Sequence, residues 1–179
     1  MGIEFDEIVG NKVNLRPICL DDTPLILKWR NNPNVMRNFI CRETFTEEMH
    51  KNWMNTKVAN GEVIQYIIEL TTTGKPVGSV YLRDINMNHR SAEYGIFIGE
   101  DAVRGKGIGS ETATLFTNYM FETLKLHRIF LRVLKGNNSA YKSYLNAGFV
   151  EEGIGHEMVI LDGEYKDVIF MSIINKKED

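Results

Sequence analysis

The stretch Arg104-Gly105-Lys106-Gly107-Ile108-Gly109-Ser110 decides the fold more than any other part of this chain. It follows an apolar, strand-like run at residues 94–98 and opens a helical pattern at residues 111–124. Glycine accepts φ values that other residues resist, so these glycines allow a tight turn with exposed amide groups. A helix that begins there adds unpaired N–H donors and the positive end of its dipole, and Arg104 and Lys106 add charge. The stretch therefore predicts a phosphate-binding loop between a strand and a helix.

Two other glycine-rich phosphate motifs do not fit this stretch. A Walker loop places a lysine between its last glycine and a serine or threonine, whereas Ser110 follows Gly109 directly. A Rossmann fingerprint lies in an opening βαβ unit, whereas this stretch lies past mid-chain and its third glycine comes one position early. The remaining alternative is a glycine-rich connection that holds no ligand.

Length and composition indicate a single soluble globular domain that spans residues 1–179. Of the 179 residues, 43% are hydrophobic and 25% are charged, which is ordinary for such a domain. The net charge of −3 gives only weak long-range attraction to nucleic acid or to an anionic membrane, so neither is expected as a partner. No apolar run approaches the ~18 residues of a membrane span.

Cysteine and histidine usage favours a reduced compartment and no metal. Cys19 and Cys41 are the only cysteines, and the acidic N-terminal residues lack the pattern of a secretion signal. The histidines are scattered, without the spacing of metal ligands, so no metal site is expected. We therefore expect a cytoplasmic protein in which a compact local site holds any anionic ligand.

Hydrophobic periodicity and turn signals predict elements in the order βααβββαβαββ. The predicted strands cover residues 12–18, 64–70, 77–82, 92–99, 128–134, 149–156 and 166–174, and the predicted helices begin near residues 21, 46, 111 and 137. Turn signals at residues 71–76 and at Asp162-Gly163 predict two hairpins. The tail at residues 176–179 is expected to fray.

Three motifs in this order resemble the GCN5-related N-acetyltransferase (GNAT) superfamily, and the resemblance covers nearly the whole chain. Arg104, Gly107 and Gly109 match the family pyrophosphate loop, Gln/Arg-x-x-Gly-x-Gly/Ala. The sequence NNSAYKSYLNAGF at residues 137–149 matches an asparagine followed by a tyrosine-bearing helix and Gly-Phe. The sequence DGEYKDVIFM at residues 162–171 is similar to the branch that holds ribosomal-protein alanine, spermidine and amino-sugar acetyltransferases.

The resemblance implies a GNAT-like α/β (α+β) fold with a mixed, splayed central sheet of about seven strands flanked by about four helices. Acetyl-CoA, as co-substrate, would lie where the strand before the glycine loop diverges from the strand after its helix. The amides of residues 104–110 would hold the pyrophosphate, and the backbone of Ile96, Phe97 and Ile98 would pair with the pantetheine arm. Asn137 matches an asparagine that contacts CoA, and helix capping is an equally open role for it.

Tyr144 and Glu93 are the candidate catalytic residues. Tyr144 aligns with the family tyrosine, and a phenol with a pKa of about 10 is suited to protonate the departing thiolate. Glu93 opens the strand that leads to the glycine loop, where some family members place a carboxylate that acts as base. Each has a simpler interpretation: Tyr144 as a packed residue and Glu93 as an exposed strand-end glutamate. A backbone N–H near Phe97 or Ile98 would stabilise the oxyanion.

Trp29, Arg30 and Asn31 are the candidate acceptor-binding residues. They lie in the helical region that shapes the acceptor pocket in this family, although a packed tryptophan and solvated charge also explain them. The stretch at residues 29–37 is similar to the opening of amino-sugar nucleotide acetyltransferases, and an arginine-bearing pocket suits a diphosphate. A nucleotide-linked amino sugar is therefore the first acceptor hypothesis.

Other functions stay open beside this one. Glu43, Glu47 and Glu48 keep a polyamine acceptor open, because a polyamine is bound by carboxylates, and a peptide N-terminus is a third acceptor. A function of another class, a non-catalytic acyl-CoA-binding regulatory module on the same fold, conflicts with the presence of Tyr144. Family relatives are often dimers, which leaves a homodimer open.

Overall fold

The computed structural model describes residues 5–176 as a mixed sheet of eight strands with helices packed on both faces. Residues 1–4 and 177–179 lie outside the described part, and with them most of the tail that is expected to fray. The strands are Ile8–Val9 (β1), Val13–Pro17 (β2), Ile64–Leu70 (β3), Pro76–Asn86 (β4), Ser91–Ile98 (β5), Arg128–Leu134 (β6), Val150–Leu161 (β7) and Glu164–Ile174 (β8). The helices are Thr23–Arg30 (α1), Pro33–Met36 (α2), Glu47–Trp53 (α3), Ile108–Leu124 (α4) and Asn138–Asn146 (α5).

The strands lie in the order β1-β2-β3-β4-β5-β6-β8-β7, and neighbours are antiparallel except for β5 and β6. This topology confirms the predicted mixed, GNAT-like sheet. Both predicted hairpins, β3–β4 and β7–β8, are present. In the second, Asp162 and Gly163 have φ values of 53° and 80°, the left-handed pair that a two-residue hairpin turn requires.

Two short elements, β1 and α2, exceed the predicted number of strands and helices. β1 is an edge strand of 2 residues that pairs Ile8 with Leu15. α2 is a single turn, and the side chain of Asn32 caps it by accepting a hydrogen bond from the amide of Asn34 at 2.9 Å. Both elements are too short to show a hydrophobic period, so pattern analysis does not detect them.

The sheet splays apart between β5 and β6. These parallel strands pair at only three positions, which join Ser91, Ala92 and Glu93 to residues 128–130. Beyond Glu93, β5 keeps its antiparallel partner β4 on one side, while its other edge leaves β6. The result is the V-shaped opening that the family resemblance implies.

Helix α4 begins at Ile108, earlier than the predicted start near residue 111. Gly107 precedes it with a φ of 80°, a left-handed conformation that favours glycine. The predicted buried face packs on the sheet through Ala113, Phe116, Met120 and Leu124. α4 has 17 residues, and no helix within residues 5–176 is both long and apolar enough to cross a membrane.

A second apolar cluster covers the opposite face of the sheet. Ile26 and Trp29 of α1 and Val35 of α2 pack there against Ile67 of β3 and Phe97 of β5. Because Phe97 belongs to the strand that borders the V-shaped opening, this cluster forms one wall of the space in front of β5.

Candidate active site

The V-shaped opening forms a cleft of about 1290 Å³. Its lining includes the free half of β5, the end of β6, the glycine loop and the first part of α5. Large ligand sites are typically concave and few per protein, so the cleft is the candidate active site.

The glycine loop has the backbone shape that anion binding requires. Gly105 and Gly107 have φ values of 75° and 80°, and a Cβ at Gly105 would meet no atom within 4 Å. The first amides of α4 have no partner inside the helix and point toward the loop. Gly107, Ile108, Gly109 and Ser110 all line the cleft.

The two basic residues of the loop differ from the sequence-based expectation. Arg104 lines the cleft, but its Nη2 donates to the carbonyl of Ile98 at 3.2 Å and lies 3.2 Å from Oδ1 of Asp101. Lys106 is exposed and does not line the cleft. Lys12 approaches the loop instead, because its Nζ donates to the carbonyl of Lys106 at 3.0 Å. The glycines of the loop therefore line the cleft, whereas the side chain of Lys106 does not.

The edge of β5 at Ile96, Phe97 and Ile98 borders the cleft. On the other side, these residues are in register with Val80, Ser79 and Gly78 of β4. The edge that faces the cleft has left β6, so apart from the Ile98 carbonyl, which accepts from Arg104, its backbone groups are available to an extended ligand.

Asn137 combines a structural role with a place in the cleft. Its side chain accepts a hydrogen bond from the amide of Ala140 at 3.3 Å and so caps α5. It also lines the cleft. The capping interpretation is confirmed, and it leaves a ligand contact open.

Tyr144 is a buried phenol in the lining of the cleft. Its side chain is 7% exposed, and its ring packs against Tyr94 and Phe149 with centroid distances of 6.0 and 5.8 Å. Burial raises the pKa of Tyr144 well above its ordinary value. The hydroxyl therefore stays protonated at physiological pH, but it is also a weaker acid than a free phenol.

Glu93 is not the exposed strand-end carboxylate that the sequence suggests. It is 4% exposed, and its two oxygens accept hydrogen bonds from Arg83 and Arg132 at 2.8 to 3.2 Å. Burial acts to raise the pKa of Glu93, but the hydrogen bonds from Arg132 and Arg83 outweigh it and keep the pKa below its usual value. A carboxylate held in this way is a weak base, so the geometry argues against the predicted role.

Only one of the three candidate acceptor residues reaches the cleft. Trp29 is fully buried, and its Nε1 donates to Glu100 at 2.9 Å. The side-chain amide of Asn31 donates to the carbonyl of Phe45 and accepts from the N–H of Phe45, both at 2.8 Å. Neither lines the cleft, so both have structural roles.

Arg30 does line the cleft, in an unusual setting. Its guanidinium lies between two rings, 5.1 Å from the centroid of Phe39 and 4.4 Å from that of Phe45. Its Nε is buried without a hydrogen-bond partner in the described part of the chain. Burial lowers the pKa of Arg30, and a nearby anion would relieve this cost.

Cationic side chains outnumber anionic ones in the lining of the cleft, and four of the cations (Arg42, Arg104, Lys135 and Lys166) are paired with carboxylates outside the lining. Within the described residues, Glu93 is the one acidic side chain of the lining, and the cations are Arg30, Arg37, Arg42, Arg83, Arg104, Arg132, Lys135, Lys142 and Lys166. The glutamates considered for a polyamine, Glu43, Glu47 and Glu48, lie outside the lining.

Sequence reasoning missed Arg83, Arg132 and Tyr81. Tyr81 and Arg83 alternate with the buried residues Val80 and Leu82 on β4, so their shared face could be deduced from the alternation. Arg132 of β6 donates to the same carboxylate, Glu93, as Arg83 does. This arrangement depends on the register of three strands. Among residues 5–176, no group of three or more histidine, cysteine or carboxylate side chains is placed to hold a metal ion.

Comparison with known proteins defines the class. Residues 12–150 match the model of the family described as acetyltransferase (GNAT) domain. The chain therefore belongs to the GNAT family, and it is an N-acetyltransferase that takes its acetyl group from acetyl-CoA.

Several proteins that are similar to this chain are spermidine acetyltransferases. The chain is 30% identical to the spermidine N(1)-acetyltransferase of Vibrio cholerae over 169 residues, which cover 94% of this chain and 96% of the relative. It is 32% identical to that of Escherichia coli over 167 residues, covering 92% and 87%. It is similar to the crystal structure of spermidine N-acetyltransferase from Vibrio cholerae in complex with CoA and spermine, with a TM-score of 0.86, 30% identity, and 93% and 97% of the two chains covered.

Proposed function

We propose that the chain transfers the acetyl group of acetyl-CoA directly to the primary amine of a small acceptor that carries negative charge. A nucleotide-linked amino sugar, with its anionic diphosphate, is the first candidate. The observation that carries this proposal is the positive lining of the cleft, in which a single carboxylate is shared by two arginines.

The charges near the vertex of the cleft favour an anion over a polyamine. Arg83 and Arg132 share the one negative charge of Glu93, so the three side chains keep a net positive charge. Arg30 adds a further charge whose Nε has no partner in the described residues. Because the guanidinium group pairs well with phosphate, and because like charges repel, this lining suits a diphosphate and opposes a polycation.

The segment between α2 and α3 lines the cleft on the side proposed for the acceptor. Arg42 forms an ion pair with Asp162 in the β7–β8 turn, and its Nη2 donates to the carbonyl of Arg37 at 2.6 Å. Ile40 packs against the apolar cluster of Leu134, Leu161 and Val168. These contacts hold the segment in place as one wall of the cleft, beside which a small acceptor would lie.

The coenzyme would lie along β5. We assign the pyrophosphate to the backbone of residues 104–110, without a contact from the side chain of Lys106. We assign the pantetheine arm to Ile96, Phe97 and Ile98. Asn137 borders the same path. The support is the free edge of β5 together with the two left-handed glycines of the loop.

The reaction needs a neutral amine and a proton for the thiolate. The amine nitrogen attacks the thioester carbon, the C–S bond breaks, and the nitrogen loses its extra proton to water. We assign to Tyr144 the donation of a proton to the departing sulfur, after which the phenolate regains a proton from water. The positive lining itself lowers the pKa of a bound ammonium group, which favours the reactive neutral form without a dedicated base. Glu93 then holds Arg83 and Arg132 in place.

Spermidine is the second candidate acceptor. It is supported by the relatives named above, which are spermidine acetyltransferases at 30% and 32% identity over most of their length. In this chain, however, the glutamates that suggested a polyamine lie outside the cleft lining.

A substrate panel separates the two candidates. Thiol release from acetyl-CoA would be measured with UDP-linked amino sugars, spermidine and short peptides. We expect the highest kcat/KM with a UDP-linked amino sugar, and a higher value with spermidine or a peptide would overturn the proposed acceptor class.

The variant Arg30→Met sharpens this test, because its effect changes sign with the charge of the acceptor. Loss of the guanidinium should lower kcat/KM about tenfold or more for an anionic acceptor, whereas it should raise kcat/KM for a polyamine. Lys51→Met removes one charge from the exposed face of α3, outside the cleft, and serves as the control.

A further inference from the structure

We propose that the hydroxyl of Tyr81 contacts the attacking amine and orients it toward the thioester. Tyr81 lies on β4 directly opposite Gly95 of β5. This inference rests on the proposed path of the coenzyme along β5, but it does not depend on which acceptor is used.

The missing side chain of Gly95 makes room for the ring of Tyr81. A Cβ at Gly95 would lie 2.3 Å from Cζ of Tyr81 and 2.5 Å from its hydroxyl oxygen. The phenol therefore lies directly over the backbone of β5. Gly95 is just beyond Glu93, the last residue that pairs β5 with β6, so the hydroxyl lies near the vertex of the V-shaped opening.

Tyr81 and Tyr144 approach this point of β5 from opposite faces of the sheet. Side chains alternate along a strand, so Gly95 shares a face with Glu93 and Phe97, on the acceptor side. Tyr94 occupies the other face, where its ring packs against Tyr144. The thioester lies between the two faces, with Tyr144 toward its sulfur and Tyr81 toward the incoming nitrogen.

The position of Tyr81 leaves its hydroxyl able to form a hydrogen bond to a ligand in the cleft. Tyr81 lines the cleft, and its hydroxyl has no hydrogen-bond partner within the described residues.

The contact requires no proton transfer through Tyr81. Its oxygen accepts a hydrogen bond from one N–H of the neutral amine, which aims the nitrogen lone pair at the carbonyl carbon. The N–C bond then forms and the C–S bond breaks, while the proton from nitrogen goes to water and the sulfur takes its proton from Tyr144.

Two CoA conjugates test the contact without any knowledge of the acceptor. In the amide probe, CoA–S–CH2–C(=O)–NH–propyl, an N–H occupies the place of the attacking amine, and in the ester probe an oxygen replaces that N–H. Calorimetry on the wild-type protein should show about three- to tenfold tighter binding of the amide, the range of one neutral hydrogen bond. In Tyr81→Phe this difference should disappear, while the affinity for CoA itself stays unchanged.

Tyr165→Phe is the matched control, because Tyr165 lies on β8 with 64% of its surface exposed and outside the cleft lining. It should keep the full preference for the amide. Equal binding of both probes by the wild-type protein, or a preference that persists in Tyr81→Phe, would overturn the inference. Loss of CoA affinity in Tyr81→Phe would also overturn it, whereas no CoA binding by the wild-type protein would instead remove the proposed coenzyme site.

Discussion

The variant Glu93→Gln tests whether this carboxylate holds two arginines or acts as a base. In the structure it accepts three hydrogen bonds from Arg83 and Arg132, and a hydrogen bond to a charged group contributes about 1.5–3 kcal/mol. The two arginine side chains are 37% and 31% exposed, so water recovers part of this loss. Glutamine also keeps one accepting oxygen. We therefore expect the free energy of unfolding to fall by about 2 kcal/mol, which lowers the Tm by about 4–8 °C in a domain of this size.

The stability difference should depend on pH with a defined sign. The folded protein holds the pKa of Glu93 below its usual value, so the ionised carboxylate stabilises the fold at pH values above the pKa of the unfolded chain, about 4.3. This contribution is lost as the pH falls through the folded pKa. Urea unfolding of wild type and variant should therefore show a constant difference from about pH 8 to pH 5 and a shrinking one below about pH 4.

The kinetic outcome decides the role of Glu93. If it only positions the arginines, kcat should fall less than about tenfold and the acid limb of the pH–rate profile should persist. A fall of 100-fold or more with an unchanged Tm and a lost acid limb would refute the reasoning, because general base catalysis is worth about 10²–10⁴-fold. Glu62→Gln is the control, since Glu62 is 53% exposed and pairs with Lys57 at the surface.

Three further predictions concern the coenzyme site and the wall beside it. Tyr144→Phe should lower kcat by about 10²–10⁴-fold with little change in acetyl-CoA affinity by calorimetry, and unchanged turnover would exclude the proton-donor role. Gly107→Asp should raise the Kd for acetyl-CoA by about tenfold or more, because it places bulk and negative charge at the phosphate loop. Gly61→Asp is the control, because Gly61 has a similar φ, 72°, in open space. It should lower the Tm by a similar amount and keep normal affinity for acetyl-CoA. Gly99→Ala should destabilise the fold by about 1–3 kcal/mol, because the new Cβ would lie 2.1 Å from the ring of Trp29, and an unchanged Tm would contradict this packing.

Local patterns were sufficient to predict the framework and the strand–loop–helix unit that lines the cleft. Asp162-Gly163 dictates a tight hairpin, because both residues tolerate positive φ. The glycines before α4 and the apolar spacing within it predict a strand–loop–helix unit, since both signals come from neighbouring residues. Short elements such as α2 escaped detection, because one turn contains no period.

The acceptor half of the cleft was less predictable, because its residues meet through the sheet. Trp29, Arg30 and Asn31 are consecutive, yet the helix turns one into the core, one into the cleft and one toward the backbone of Phe45. Sequence reasoning treated them as one group. Their separate environments follow from the packing of α1 against Phe97 of β5.

The sequence by itself determined the family, the glycine loop before α4 and the candidate proton donor, because each depends on residue types at fixed local spacing. Only the tertiary structure decided the surroundings of Glu93 and which charges line the cleft. Arg83, Glu93 and Arg132 come from three strands and are far apart in the chain, and they meet only because β4, β5 and β6 align in one register. A carboxylate that looks free in the sequence becomes a buried acceptor between two guanidinium groups, and its basicity falls for that reason.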